Sequence, residues 1–120
     1  MAIRRVFFFG DYFEKFYGRL NKKTKVKFDY VLNLVACVEM APEKFLKHLE
    51  GTQGLYEIRV EARRNAYRIF CFFEEARSII LLNAFEKKTE KTPRNEIALA
   101  ERLRRRYFLE KSKAESCHEQ

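Results

Sequence analysis

Tryptophan is absent from the 120 residues, and glycine (4), proline (2), cysteine (3) and histidine (2) are scarce. So little glycine and proline leaves no low-complexity linker, and no internal repeat is visible. The chain reads as one domain with a single modest core over residues 1–110, followed by a disordered polar tail over 111–120. No glycine-rich phosphate loop, Ser/His/Asp set or carboxylate pair stands out. Cys37, Cys71 and Cys117 are odd in number and lack metal-ligand spacing, so they read as reduced thiols of a cytoplasmic protein, with Cys37 and Cys71 in the core. His48 sits in a connector without a second ligand, and His118 beside Cys117 in the tail makes no metal pair; neither a metal nor a cofactor is expected. No run approaches the ~20 apolar residues of a membrane span. The apolar part of Met1 to Gly10 is too short for a signal peptide.

What is present is phenylalanine, tyrosine and positive charge. There are 12 Phe and 6 Tyr, 47% of residues are apolar, and 25 Lys+Arg against 17 Asp+Glu give a net +8. The excess is focused. Residues 85–106 carry eight Lys/Arg and four Glu, and residues 59–68 carry four Arg and one Glu. Seven of the eight net charges therefore lie in two stretches, the footprint of a polyanionic partner more than of a generally basic surface.

Hydrophobic patterning organises the chain. Ile3 to Phe9, ended by Gly10-Asp11, reads as a strand. Tyr12 to Leu20 reads as a short helix with Phe13, Phe16 and Tyr17 on one side. Asn21 caps a second helix with Phe28, Val31, Leu32, Leu34, Val35 and Val38 at helical spacing, ending before Pro42. Its Lys22, Lys23, Lys25 and Lys27 form a solvated first turn. Pro42 to Glu50 is a connector with a helical turn and a short extended piece, and Gly51 to Gly54 is a turn. Leu55 to Ala62 and Ala66 to Phe73 alternate as strands around an Arg63-Arg64-Asn65 tip. Glu74 to Arg77 is a second tip, and Ser78 to Phe85 is the most apolar, central strand. Asn95 to Tyr107 is a helix with Ile97, Ala100, Leu103 and Tyr107 inward. The sum is an α+β fold: a small, twisted, mostly antiparallel sheet packed by N-terminal helices, with a C-terminal helix. Phe7, Phe8, Phe9, Phe70, Phe72 and Phe73 are core candidates.

The junction Phe85 to Pro93 is the leading functional stretch. Lys87, Lys88 and Lys91 crowd together and Arg94 follows. Thr92 as N-cap and Pro93 at the first helical position would aim the positive end of a helix dipole at these cations. An anion such as a nucleic-acid phosphate would relieve that; a solvated turn is the alternative. If the first hairpin closes on a four-residue loop, Ala62 to Asn65, Arg59 faces Arg68 across the ladder. If the second closes on Glu74 to Arg77, Arg68 faces Asn83, and Phe85 and Lys87 continue on the same face. Taken alone, Arg59 pairs with Glu57 or Glu61 as surface decoration. Arg68 lies inside an apolar run, and its charge there needs a partner. The arginines suit a pentavalent phosphorane, a crowded lysine suits proton donation, and Phe85, Tyr56 or Tyr67 would stack a base. RNA brings its own 2′-hydroxyl nucleophile, so this chemistry asks for no metal.

Several of these segments together resemble a known family. They are Phe45 to Thr52, Gly54 to Arg59, Tyr67 to Phe73, Phe85 to Pro93 and Glu96 to Ala100. The resemblance is to the phage-derived HigB-type branch of the RelE/ParE toxin superfamily, over roughly residues 3 to 110. It implies the toxin of a type II toxin–antitoxin system with a RelE-like fold. Such a toxin cleaves mRNA without a metal, commonly on the ribosome, and blocks translation. Carried over by motif, Arg59, Arg68, Lys87, Lys88 and Lys91 are the catalytic candidates, with Arg94 an RNA contact. The implied partner is a helix-turn-helix antitoxin, in a complex of higher oligomeric order. This chain has no tyrosine between Tyr67 and Tyr107, where RelE places one beyond the last strand. Proton transfer then falls to a lysine, or to Tyr107 if its helix folds back. The superfamily also includes ParE-like toxins that inhibit DNA gyrase, and a plain nucleic-acid-binding module is a third reading.

Overall fold

From Tyr67 to Phe73 every side chain but Arg68 is apolar, and a strand satisfies that pattern only when both its faces are covered. The computed structural model describes residues 2–75 and 77–118, with side chains through Glu115, and places this run at the middle of the sheet. The elements are β1 (Arg5–Phe8), α1 (Tyr12–Gly18), α2 (Lys22–Cys37), β2 (Leu46–His48), β3 (Tyr56–Ala62), β4 (Asn65–Glu74), β5 (Ser78–Lys87) and α3 (Arg94–His118). Five strands form one sheet in the order β1-β5-β4-β3-β2. Three neighbouring pairs are antiparallel, and β1 runs parallel to β5. This is the expected α+β fold. The strand expected to be central, β5, is interior, but the middle position belongs to β4.

Alternation along β3, β4 and β5 splits the interior in two. Ile58, Val60, Tyr67, Ile69, Cys71, Ile79 and Leu81 meet Phe13, Phe28, Val31 and Val35 of α1 and α2. Leu55, Phe70, Phe72, Ile80, Leu82 and Phe85 meet Ala100 and Leu103 of α3. Helix α2 begins as its sequence predicts, with the Asn21 side chain accepting from the Thr24 N–H at 2.8 Å. At its other end the Arg4 guanidinium donates to the Val35 and Val38 carbonyls at 2.8 and 2.7 Å and to that of Glu39. A cation there complements the negative end of the helix dipole.

Several expectations change. Phe7 and Phe8 are each 48% exposed, because β1 is an edge strand too short to be covered. Phe9 packs edge-on against Tyr107, and Phe70 and Phe72 are buried. Cys71 is buried, and burial pushes its thiol pKa up, while Cys37 is only partly covered. The expected tail does not begin at Lys111. Helix α3 continues to His118, and residues 119–120 lie outside the described residues. Apolar periodicity fades after Tyr107, so sequence pattern alone misses the polar tie that holds this part. Glu74, the last residue of β4, accepts hydrogen bonds from both Tyr107 Oη and Lys111 Nζ.

Burial works to raise the Glu74 pKa. The hydrogen bonds from Lys111 and Tyr107 and the Lys111 charge outweigh it, leaving the carboxyl below its ordinary 4.5. A depressed carboxyl pKa supplies stability that is present above the ordinary value and lost as pH falls through the folded one. Docking of the second half of α3 is therefore expected to weaken on acidification from pH 4.5 downward, and Glu74→Gln should flatten that dependence. Amide hydrogen exchange over residues 107–115 at stepped pH reads it; equal acid sensitivity in wild type and variant would refute the tie.

Candidate active site

The hairpin of β3 and β4 is closed by two residues. Ala62 pairs with Asn65, and Arg63 and Arg64 between them have φ of 53° and 73°. The expected four-residue loop kept the same register, so Arg59 does lie opposite Arg68. A two-residue turn with both centres at positive φ is the type I′ pattern, whose twist suits a hairpin and which favours Asn-Gly. For two arginines it costs roughly 1–2 kcal/mol each.

Arg68 was expected to face Asn83; it faces Phe85 instead. The reason is a pair of compensating shifts. Glu74 pairs with Ser78, which shortens the second loop by one residue. A bulge then sets Leu82 and Asn83 of β5 against Phe70 of β4, between the Cys71–Leu81 and Ile69–Ala84 pairs. One shift alone would turn every later side chain to the other face; two restore the parity. Phe85 and Lys87 consequently share the face of Arg59 and Arg68. Lys87 lies opposite Ala66, about 8 Å from Arg68 between backbone positions by strand spacing.

Two guanidiniums directly across a ladder repel. The counter-charge is Glu57, two residues before Arg59 on the same face. It is buried (5% exposed), as is Arg68 (5%). Glu57 Oε1 is 3.3 Å from Arg59 Nε and 3.9 Å from Arg68 Nε. The second distance is an ion pair too long for a hydrogen bond. One carboxylate thus serves two arginines. The Glu57–Arg59 pair foreseen as surface decoration exists, but its acid is interior. Arg68 Nη1 donates to the Tyr67 carbonyl at 3.0 Å. Glu57 Oε2, Arg59 Nε and Arg68 Nε are buried and make no hydrogen bond among the described residues. Burial first, and then the Arg59 charge, presses the Arg68 pKa below its ordinary value, while Glu57 and Glu61 pull it back up. One buried carboxylate faces two guanidiniums, and the exposed Glu61 adds its charge from the same face.

Around this floor stand two walls. The Arg59 backbone N–H donates to the Phe45 carbonyl at 2.8 Å, and beside that bond opens a cleft of about 240 Å³, lined by Lys27, Lys44, Phe45, Arg59 and Glu61. Lys27 belongs to the turn read from sequence as merely solvated. On the other side, Lys87 is half-buried, and Lys88, Lys91 and Arg94 are exposed along the connection into α3. That helix starts at Arg94, one residue before the expected Asn95 and one after the Pro93 start that a Thr92 cap implies. Pro93 occupies the cap, its carbonyl accepting from the Glu96 and Ile97 N–H groups at 3.2 and 3.3 Å. The helix also carries its own anion: Glu96 lies in the first turn and accepts from Asn83 Nδ2 at 3.0 Å. The positive end of the helix dipole is therefore met by Glu96, within the chain itself.

The aromatic candidates divide. Phe85 is on the arginine face but buried against Phe70, with ring centroids 5.2 Å apart, so it forms floor. Tyr67 packs against Phe28 and Phe16 under α1 and α2, and Tyr56 against Phe73 and His48, both on the opposite face. Tyr107 is bound to Glu74 at the far end of β4 and does not fold back to the lysines. Of the residues around the site only Lys44 went unremarked in the sequence, which offers no signal for it; Glu57 was foreseen as a partner of Arg59, Asn83 as the residue facing Arg68, and Lys27 as part of a solvated turn.

This sheet, with helices on both faces and a paired-arginine floor beside a lysine-rich strand exit, has a RelE-like fold. Residues 11–105 match the family model of the phage-derived protein Gp49-like (DUF891). The chain belongs to that family, a RelE/HigB-like toxin family. No curated protein matches it.

Glu57→Ala is expected to cost about 3 kcal/mol in denaturant unfolding, since it strands two guanidiniums without a counter-charge. Replacing Glu57 and Arg68 together by Leu and Met should cost clearly less. A single-variant loss under about 1 kcal/mol would mean that Glu57 does not hold the pair.

Proposed function

We propose that the chain is the toxin of a type II toxin–antitoxin pair, of the HigB-type branch, and cleaves mRNA on the ribosome by 2′-hydroxyl attack. The observation that carries the reading is the Arg59–Arg68 pair on one sheet face, with a single shared carboxylate and with buried N–H groups unspent. The 2′-oxygen forms a bond to the adjacent phosphorus and its proton passes to solvent. The bond from phosphorus to the 5′-oxygen breaks. The products are a 2′,3′-cyclic phosphate and a 5′-hydroxyl. Arg59 and Arg68 stabilise the charge that grows on the phosphorane oxygens, where donors already fixed in a poorly hydrated place are most effective. Lys87 shares that face and in this reading protonates the departing 5′-oxygen, while Lys88, Lys91 and Arg94 hold neighbouring phosphates. Phe45, half-buried in the cleft beside Arg59, replaces Tyr56 and Tyr67 as the surface for an unstacked base. The nucleophile comes with the substrate, so the step calls for neither metal nor cofactor. The partner is an antitoxin with a helix-turn-helix domain, in a higher-order complex, and the setting is the cytoplasm. Among the described residues no helix is long and apolar enough to cross a membrane.

The test is induction of the protein followed by mapping of mRNA ends. New 5′-hydroxyl ends are expected. Arg68→Lys keeps the charge but loses the two-pronged geometry, and should lower cleavage roughly 100-fold. It is a better probe than Arg68→Glu, which would bury a second carboxylate against Glu57 and confound activity with folding. Arrest of translation with no new mRNA ends would sink the nuclease reading, and DNA damage with intact mRNA would favour gyrase as the target.

A further inference from the structure

Of the described residues, the three non-glycine residues at positive φ are all arginines: Arg63, Arg64 and Arg77. Two of them form the whole of the β3–β4 turn. Asn-Gly would close this hairpin without strain. The chain instead holds two long cationic side chains there, both exposed, with neither an ion pair nor a side-chain hydrogen bond to a described residue. A shallow concavity of about 300 Å³ runs along the tip, lined by Glu61, Ala62, Arg63, Arg64, Asn65 and Ala66. Residues kept at a strained position with no partner inside the protein point to a partner outside it.

The register says where that partner lies. Ala66, two residues past Arg64, pairs with Lys87, so the tip stands at the end of the sheet from which Lys87, Lys88 and Lys91 also emerge. Arg59 and Arg63 are four strand positions apart, about 14 Å. That separation leaves room for the tip to hold a different phosphate from the one held at Arg59 and Arg68. Arg77 is the internal comparison. It has the same residue type and the same backbone region (φ 56°), but it precedes Ser78 at the opposite end of β5.

We propose that Arg63 and Arg64 form a second RNA-backbone contact, gripping phosphates away from the reacting nucleotide and adding to affinity. The inference rests on the RNA reading above. Its test uses the full chain and a short single-stranded RNA with methylated 2′-hydroxyls, which binds without being cleaved. Binding is measured across a salt series. The double variant Arg63→Asn/Arg64→Gly should melt about 4 °C or more above wild type, because the turn is relieved. It should bind RNA about tenfold more weakly, with a salt dependence shallower by about 1.4 in log–log slope. Arg77→Gly removes a cation from the same kind of backbone position and should leave the affinity and slope of wild type. A double variant that binds like wild type overturns the tip contact and leaves the active-site reading standing. Equal weakening by Arg77→Gly also overturns it, since net charge alone would then explain the loss. A wild-type protein that binds no RNA overturns the tip contact, while the cleavage reading is decided separately by the mapping of mRNA ends after induction.

Discussion

A single buried carboxylate between two arginines is the constraint on which this structure turns. β4 places Arg68 in an otherwise apolar strand, and the ladder sets Arg59 directly across from it. Neither cation could be tolerated there without Glu57, and Glu57 could not be buried without them. The three residues form one electrostatic unit at the sheet surface. The balance inside that unit is incomplete: Arg59 Nε, Arg68 Nε and Glu57 Oε2 make no hydrogen bond among the described residues.

The remainder of the fold holds that unit in place and leaves one end of it accessible. The helices α1 and α2 seal the opposite face of the sheet with Phe28, Val31 and Val35. Helix α3 covers the arginine face over Leu55, Phe70, Phe72, Ile80, Leu82 and Phe85, and Asn83 ties its first turn to the bulge of β5. The Glu74–Tyr107–Lys111 cluster anchors the same helix at the other end of the sheet. Between these ends the chain divides its polar groups by task. The Glu74 carboxylate is hydrogen-bonded at both oxygens, while the cluster at Glu57 keeps buried polar atoms without a hydrogen bond among the described residues.

Alternation made much of the site legible in advance. Arg59, Arg68, Phe85 and Lys87 were assigned to one face, and they share it, although the assumed loop lengths were wrong in both hairpins. The first error cost nothing because the turn residues changed and the register did not. The second was cancelled by a bulge, which no propensity reveals because it depends on how α3 draws Asn83 toward Glu96. Tyr56 and Tyr67 show the limit of the same reasoning. They stand among exposed-looking strand residues in sequence, yet odd and even positions belong to different cores, and theirs is the one beneath α1 and α2.

The sequence by itself determined the α+β order of elements, the two apolar periodicities and the concentration of positive charge in residues 59–68 and 85–106, since these depend only on local spacing and residue type. Tertiary structure decided which charges meet. Pairing across strands buried Glu57 between its arginines, and the packing of α2 and of the segment before β2 beside β3 brought Lys27 and Lys44 to the same cleft. Docking to β4 made a helix of the stretch from Lys111 to His118. Each of these outcomes joins residues distant in the chain, so no window of sequence contains it.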